Sequence, residues 1–202
     1  MKSVNRHYST RSIVRVAVLG ALAAILYVIP GIPIIPPIYK LDFSTMPAWI
    51  AAIYMGPAEG IIVMLIKDVT GLLHSSSAGV GELADFLCGG VIVVCSAFLY
   101  GRKSGKIWNI FVFALSVVVM SLVGAAVNYW ILIPFYVRVQ GFPLDAIISS
   151  IGKTVSAVNS LPTLIAFATV PFNLLKGAIL AVITWLVLWK IKPLHKPLKK
   201  ER

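Results

Sequence analysis

The chain has 202 residues, of which 59% are hydrophobic and only 12% are charged, and its mean hydropathy is +0.93. This composition excludes an ordinary soluble domain of the same size and predicts an all-α integral membrane protein. The formal net charge of +11 at pH 7 would suit a nucleic-acid-binding protein, but the basic residues lie at the ends of apolar stretches rather than on one polar surface. We therefore expect the charge to orient a single membrane domain, residues 1–202, in the cell membrane.

The first apolar stretch predicts a transmembrane helix over about residues 12–29. The residues before it are basic and polar, and no small-residue cleavage motif follows it, so we expect this helix to stay in the mature protein. A proline-rich run at residues 30–37 comes next and cannot continue a helix. It predicts a long extended loop on the outer side of the membrane.

The next apolar run, residues 46–73, is longer than one membrane span requires. Gly56 and Pro57 interrupt it, and a glycine followed by a proline is typical of one helix ending and another beginning. The run therefore predicts two helices, a short one over about residues 45–55 and a longer one over about residues 57–73.

Three further helices are predicted over about residues 81–100, 107–133 and 161–189, which makes six spans. The segment between the last two, residues 134–160, is too polar to cross the membrane. Its apolar residues fall on one side of a helical pattern, as expected for a short amphipathic helix on the outer surface. These residues are Leu144, Ile147, Ile148 and Ile151.

The distribution of basic residues supports this layout, because Lys and Arg near span ends accumulate on the cytoplasmic side. With both termini in the cytoplasm, only Lys40, Arg138 and Lys153 fall outside. A single span over residues 46–73 would move three inner residues to the outside and weaken the bias. The predicted inner residues are Lys2, Arg6, Arg11, Arg15, Arg102, Lys103, Lys106, Lys190, Lys192, Lys196, Lys199, Lys200 and Arg202.

Polar residues inside membrane spans are rare and usually mark a substrate or ion path. Asn173 and Lys176 are three residues apart in the last span, so both side chains lie on one face of that helix. In the predicted topology further polar residues converge on the same outer half, namely Lys40, Asp42, Glu82 and Asn128. Asparagine supplies a donor and an acceptor, and lysine supplies donors only. The set suits a neutral, imide-like edge of a small planar molecule better than a metal ion or a phosphate.

Structural roles compete with ligand roles at several of these positions. Glu82 and Asp85 lie in the first turn of the fourth helix, where the helix dipole stabilises an acidic side chain without any ligand. Asn128 could bond a neighbouring helix, as polar side chains in membrane bundles often do. The sequence leaves both interpretations open.

The two lysines in the predicted spans could also have structural roles rather than ligand roles. Lys176 could form a salt bridge inside the membrane with Glu82, Asp85 or Asp68. Lys67 and Asp68 are adjacent and point about 100° apart around a helix, so each is expected to pair with another helix. A structural role is therefore favoured for Lys67.

The sequence contains no recognisable catalytic set, so we do not expect an enzyme or a resident cofactor. It lacks the glycine-rich loop with which P-loop proteins hold ATP. His7, His74 and His195 are scattered rather than spaced as metal ligands. If the chain is part of a transporter, separate ATPases must supply the energy. A small solo channel or facilitator, with Lys176 lining a pore, is the alternative from another class.

Ala17 and Ala21 form a small-residue pair one turn apart in the first helix. Such a pair lets another helix approach closely in lipid. That helix belongs either to this chain or to a partner protein, and the sequence favours neither.

Taken together, the motifs resemble the riboflavin-specific S component of energy-coupling-factor (ECF) vitamin transporters over nearly the whole chain. The resemblance implies a six-helix subunit that captures riboflavin from outside and works with a transmembrane coupling protein and two cytoplasmic ATPases. An S component for another vitamin is the nearest alternative, and uptake of flavin mononucleotide is left open. The motifs are residues 36–44 (Pro-Pro-Ile-Tyr-Lys-Leu-Asp-Phe-Ser), Pro47, Gly56-Pro57-x-x-Gly60, Ser77-x-Gly79-x-Gly81-Glu82-x-x-Asp85-Phe86, Asn128-Tyr129 and Pro171-Phe172-Asn173-x-x-Lys176-Gly177.

The resemblance also implies roles for individual residues. Asn128, Asn173 and Lys176 match polar positions that hold the flavin, whereas it assigns no secure ligand role to Asp85. Ala17 on the first helix, with Ala21, matches the face that contacts the coupling protein. The elements that match those closing over the ligand are Lys40, Leu41, Asp42 and the region of Gly79, and the apolar side chains available to cover the ring are Leu41, Trp130 and Phe172.

Overall fold

A computed structural model describes residues 9–36, 38–75, 77–102 and 105–191. Within these residues the fold is a bundle of α-helices with one two-stranded β-hairpin at one end, called the hairpin end below. The helices are α1 (Thr10–Val28), α2 (Thr45–Tyr54), α3 (Pro57–Leu72), α4 (Val80–Leu99), α5 (Lys106–Val127), α6 (Ile133–Arg138), α7 (Leu144–Gly152), α8 (Leu161–Leu164) and α9 (Val170–Ile191); the strands are β1 (Ile32–Ile35) and β2 (Tyr39–Leu41).

Among the described residues, four helical segments are long and apolar enough to cross a membrane: Thr10–Val28, Val80–Leu99, Lys106–Arg138 and Leu161–Lys190. The third and fourth each contain a π-helical turn, which joins α5 to α6 and α8 to α9. Helices α2 and α3 are shorter, at 10 and 16 residues. At 1.5 Å per residue α2 spans only about 15 Å, roughly half of the hydrocarbon core. The six-span arrangement stays a prediction.

The chain reverses between α2 and α3 at Gly56, whose φ of 129° favours glycine. Pro57 then occupies the start of α3, where its missing N–H costs no hydrogen bond. The two helices pack closely, since a Cβ atom at Gly60 would lie 2.7 Å from that of Ala52. This packing buries α2 in the bundle, with Trp49 fully inaccessible.

The proline-rich segment forms an antiparallel hairpin in which Ile32 pairs with Leu41 and Ile35 with Tyr39. The sequence predicted a long extended loop at this point and did not address strand pairing. Proline prevents a helix but is tolerated at sheet edges, so the same residues allow a hairpin with two free edges. Buried Ile35 and Tyr39 hold it against the ends of α6 and α9, where they share an apolar cluster with Ile133 and Phe172.

Near the hairpin end, one helix is longer than predicted, and α7 lies where the sequence predicts an amphipathic helix. The helix expected to end near residue 133 continues through the π-helical turn Asn128–Leu132 and α6 to Arg138. Helix α7 is amphipathic, and Ile147 and Ile151 are buried against the same cluster as the hairpin.

Apart from Lys67 and Lys176 inside the bundle, the described basic residues divide between its two ends. Lys40, Arg138 and Lys153 belong to elements at the hairpin end. The opposite end, where α1 begins, α4 meets α5 and α9 ends, carries Arg11, Arg15, Arg102, Lys106 and Lys190. The other predicted inner residues lie outside the described residues: Lys2, Arg6, Lys103, Lys192, Lys196, Lys199, Lys200 and Arg202, as do His7, His195, Pro37 and Ser76.

Helix α1 packs on the bundle with one side only. Gly20 lies against Ile66 of α3, and Gly71 of α3 lies against the ring of Tyr27. Much of the remaining surface of α1 is exposed, and it includes Ala17 and Ala21, which flank the packed side.

Candidate functional site

A cavity of about 440 Å³ opens at the hairpin end. Its wall is built from the end of α1, the hairpin, the α3–α4 connection and the facing sides of α4, α5 and α9. Six of the residues predicted from the sequence line it: Lys40, Asp42, Glu82, Asn128, Asn173 and Lys176. The structure therefore brings together side chains that are separated by up to 136 positions in the chain, from Lys40 to Lys176.

Two predicted residues, Leu41 and Gly79, do not line the cavity. Leu41 is buried where β2 pairs with Ile32 at the base of the hairpin. Gly79 caps α4 with a φ of 89°, and its N–H donates to the Ser75 hydroxyl at 3.0 Å. Of the three apolar residues expected to cover a ring, only Phe172 lines the cavity, because Trp130 faces outward with 71% of its surface exposed.

Lys176 is paired on the wall of the cavity. Its ammonium lies 2.7 Å from Asp42 Oδ2 and 3.4 Å from Asp85 Oδ1. Asp42 also accepts a hydrogen bond from the Ser44 backbone N–H at 3.1 Å. Lys176 on α9 thus links the connection between β2 and α2 to α4. Asp85 is one of the three possible partners that the sequence left open for Lys176.

Lys67 extends this network of ion pairs into the bundle. It is completely buried, lies 2.5 Å from Asp68 Oδ1 and also pairs with Asp85. Its ammonium is 4.7 Å from the ring centre of Tyr27. The prediction that Lys67 and Asp68 each pair with another helix holds for Lys67 and is wrong for Asp68. A flexible lysine stem can curl back to a neighbouring carboxylate despite the helical angle between them, and two buried charges are less costly when paired.

Asn128 presents an unused acceptor at the cavity. It begins the π-helical turn after α5, and its amide nitrogen donates to the Gly124 carbonyl at 2.8 Å within the same helix. Its Oδ1 is buried and has no hydrogen-bond partner among the described residues. Buried polar atoms are nearly always bonded, so this oxygen indicates a donor that enters from outside the chain.

Asn173 of α9 lines the cavity and lies against α5. Its amide nitrogen approaches Gly124 so closely that only glycine leaves room for it. No hydrogen bond to this amide occurs among the residues that the structure describes. Two asparagine side chains therefore present one acceptor and one uncommitted amide to the same cavity.

Glu82 is held by hydroxyl groups rather than by a cation. Its carboxylate accepts from Ser75 at 2.8 Å, Ser77 at 3.1 Å and Tyr27 at 3.3 Å. The side chain is buried, and no Lys or Arg within the described ranges forms a salt bridge with it.

Tyr39 is an aromatic residue of the wall that was not predicted from the sequence. Tyr39 and Phe172 line the cavity with ring centres 5.1 Å apart. The Tyr39 hydroxyl is hydrogen-bonded to the Thr169 hydroxyl, and burial raises the pKa of Tyr39 to about 12, so this hydroxyl stays protonated at neutral pH. The only sequence signal was the alternation of the strand, which could not show that a π-helical turn brings Thr169 to it.

In the described part of the chain, no group of three or more His, Cys, Asp or Glu side chains is arranged to hold a metal ion. The cavity wall offers hydrogen-bonding groups, the paired ammonium of Lys176, and apolar and aromatic surface. This combination favours recognition of a small organic molecule.

Comparison with known proteins identifies related chains. Residues 11–188 match the family described as the substrate-specific component of ECF transporters. The riboflavin transporter RibU of Staphylococcus aureus is 29% identical over 174 residues, which is 86% of each chain. The riboflavin transporter FmnP of Bacillus subtilis is 29% identical over 187 residues, 91% of this chain and 93% of the relative. A solved structure of the S component of a bacterial ECF transporter superposes with a TM-score of 0.71 and 26% identity, covering 91% of this chain and 96% of that one.

Proposed function

This chain belongs to the family of substrate-specific components of ECF transporters, and from this premise we propose that it binds riboflavin and mediates its uptake across the cell membrane. Proteins of this family are transporter components rather than enzymes, and the chain is a multi-pass membrane protein. The relatives named as riboflavin transporters support riboflavin as the ligand.

The observation that carries the proposal is the pair of asparagine side chains in an aromatic cavity. The pyrimidine edge of a flavin has one imide N–H between two carbonyl oxygens. Asn128 Oδ1 is free to accept from the N–H, and the Asn173 amide is free to donate to a carbonyl. The rings of Tyr39 and Phe172 supply apolar surface for the planar ring system.

The remaining polar wall suits the ribityl chain of the vitamin. Its hydroxyl groups both donate and accept, and Glu82, Asp42 and Lys176 offer acceptors and donors along the cavity. Lys176 is already paired with two carboxylates. A solo channel, which needs Lys176 free along a pore, is therefore disfavoured.

The proposed orientation places the hairpin end outside and both termini in the cytoplasm. The cavity then faces the medium, and the basic end faces the cytoplasm as the charge rule requires. Transport depends on a transmembrane coupling protein and two ATPases, because the sequence offers no P-loop with which to hold ATP. The exposed Ala17 and Ala21 on α1 form the contact with the coupling protein, and no cofactor takes part in binding.

Quenching of riboflavin fluorescence by the purified protein tests the ligand. Asn128→Ala and Asn173→Ala each remove one or two hydrogen bonds, so each variant should bind riboflavin about 10- to 100-fold more weakly. Asn109→Ala, an asparagine at the opposite end of α5, is the matched control and should bind like the parent protein. Absence of quenching by the parent protein would rule out riboflavin, and parent-like affinity in both site variants would rule out this cavity.

A further inference from the structure

A second cavity lies at the end of the bundle opposite the hairpin, between the start of α5 and the end of α9. Its volume is about 480 Å³, within the range of roughly 300–1,000 Å³ that is typical of small-molecule sites. Lys106 of α5 and Trp185 and Trp189 of α9 line it. It shares no described lining residue with the cavity at the hairpin end, so its chemistry is independent of the proposed riboflavin site.

Each tryptophan of this second cavity has a lysine against its ring. The ammonium of Lys106 is 5.6 Å from the ring centre of Trp185. The ammonium of Lys190 is 5.1 Å from the ring centre of Trp189. An aromatic ring attracts a cation without cancelling its charge. Among the described residues no Asp or Glu lines the cavity, and neither lysine forms a salt bridge with a described carboxylate. Both lysines therefore remain available to attract an anion.

Exposed apolar surface continues from the second cavity along both helices toward the hairpin end. Ile110 follows Lys106 by four residues on α5, and its side chain is exposed. Val182 precedes Trp185 by three residues on α9 and is exposed as well. These spacings place each apolar residue on the same helix face as the cavity residue. A ligand with an anionic head and apolar chains would contact both the charged and the apolar surface, whereas a free phosphate would use only the first.

The sequence carries further positive charge beyond this end of the bundle. After α9 it continues with the basic residues Lys192, Lys196, Lys199, Lys200 and Arg202 and one acidic residue, Glu201. Clusters of four to eight basic residues next to a membrane span are typical of segments that are attracted to anionic lipids. In the proposed orientation this end faces the cytoplasmic leaflet, whose surface is negatively charged.

We propose that the second cavity binds the head group of an anionic phospholipid, with the phosphate at Lys106 and the acyl chains along the apolar surface of α5 and α9. Lys190 adds positive charge beside the head group. The indole rings of Trp185 and Trp189 are apolar and carry one N–H donor each, which suits the boundary between head groups and hydrocarbon. Basic pockets between membrane helices on the cytoplasmic side hold phospholipid head groups in the same way.

The test measures dissociation constants of three probes on the purified full chain in neutral detergent by native mass spectrometry. The probes are a phosphatidylglycerol, a phosphatidylcholine with the same acyl chains, and glycerol 3-phosphate. One lysine near a membrane surface strengthens binding of an anionic lipid about fivefold. Phosphatidylglycerol should therefore bind at least about fivefold more tightly than phosphatidylcholine, whose choline balances the phosphate charge. Equal or tighter binding of phosphatidylcholine would overturn the proposal.

Glycerol 3-phosphate separates a lipid site from a site for a free phosphate. It carries the phosphate without acyl chains, so it should not displace phosphatidylglycerol at equal concentration. Displacement at that concentration would show that the cavity takes a free phosphate, and the lipid assignment would be wrong. The comparison of the three probes on the parent protein does not depend on whether any variant folds.

Lys106→Gln locates the site, because it removes the charge and keeps a polar side chain. The variant should bind phosphatidylglycerol about fivefold more weakly and phosphatidylcholine nearly as the parent does. Lys153→Gln, which removes an exposed lysine at the hairpin end, is the matched control and should bind both lipids like the parent. Parent-like affinity for phosphatidylglycerol in Lys106→Gln, or an equal loss in both variants, would show that the lipid does not bind in this cavity.

Discussion

The side-chain amide of Asn173 lies directly against the backbone of Gly124, and a Cβ atom at residue 124 would overlap the amide nitrogen. The carbonyl of the same glycine accepts the hydrogen bond from Asn128. One residue of α5 therefore positions both asparagines, by leaving space for one and by orienting the other.

Gly124→Ala should displace Asn173 and weaken riboflavin binding by about 10- to 100-fold, comparable to truncating Asn173 itself. Gly90→Ala is the matched control, because a Cβ atom there meets only Ile61 Cδ1 at an ordinary 3.6 Å. Fluorescence titration measures both. Parent-like affinity in Gly124→Ala would show that Asn173 does not need its present position.

Much of the fold could be predicted from local patterns. The reversal between α2 and α3 follows from Gly56 and Pro57, whose backbone preferences act on their own residues. The amphipathic α7 follows from the spacing of its apolar residues. The hairpin could not be predicted, since proline excludes a helix but does not specify whether two extended segments pair. The π-helical turns could not be predicted either, because they depend on tertiary packing.

In the candidate site, too, some features could be predicted from local patterns and others depend on tertiary contacts. The shared face of Asn173 and Lys176 follows from helical geometry, and the cost of polar groups in lipid marks both residues. The partners of Lys176 depend on how three separate elements meet. The contact of Tyr39 with Thr169 crosses 130 residues of sequence, and no pattern around either residue indicates it.

The buried ion pairs of Lys67 predict an effect on stability. Lys67→Met would leave the carboxylates of Asp68 and Asp85 without this cation, at a cost of about 3–5 kcal/mol. Thermal unfolding of the purified protein should show a clear loss, partly restored in the double variant Lys67→Met/Asp68→Asn. Lys190→Met, an exposed lysine at the opposite end, is the control. Equal stability of Lys67→Met and the parent would mean that these pairs do not stabilise the bundle.

The hydrogen bond between Tyr39 and Thr169 predicts an effect on ligand release. Tyr39→Phe keeps the ring contact with Phe172 but removes a bond worth about 0.5–1.5 kcal/mol, so riboflavin should dissociate about 2- to 10-fold faster. Stopped-flow fluorescence measures this rate. Tyr129→Phe, which changes a tyrosine outside the cavity, should release the ligand at the parent rate. An unchanged rate in Tyr39→Phe would show that the hydrogen bond between Tyr39 and Thr169 does not slow ligand release.

The orientation of the bundle can be tested with single cysteines. Cys88 and Cys95 are first replaced by alanine, and one cysteine is then placed at Lys106 or at Lys153, which are exposed at opposite ends. A membrane-impermeant thiol reagent should label the Lys153→Cys protein in intact cells and the Lys106→Cys protein only after permeabilisation, because basic residues accumulate inside. Labelling at both positions in intact cells, or the reverse pattern, would contradict the six-span layout.

The exposed alanines of α1 predict a separation of binding from transport. Helix α1 packs on the bundle through the side that carries Gly20, and Ala17 and Ala21, which flank that side, are exposed. Helix association in lipid depends on close backbone approach, so a tryptophan at either position should hold a partner helix away. Ala17→Trp and Ala21→Trp should therefore abolish riboflavin uptake in cells while changing riboflavin affinity by no more than about twofold, as expected for an exposed position outside the cavity. Leu122→Trp, on the exposed side of α5, also places a tryptophan on the surface, at another site, and should leave both uptake and binding intact. If both alanine variants transport riboflavin like the parent, the coupling protein docks on another face of the bundle.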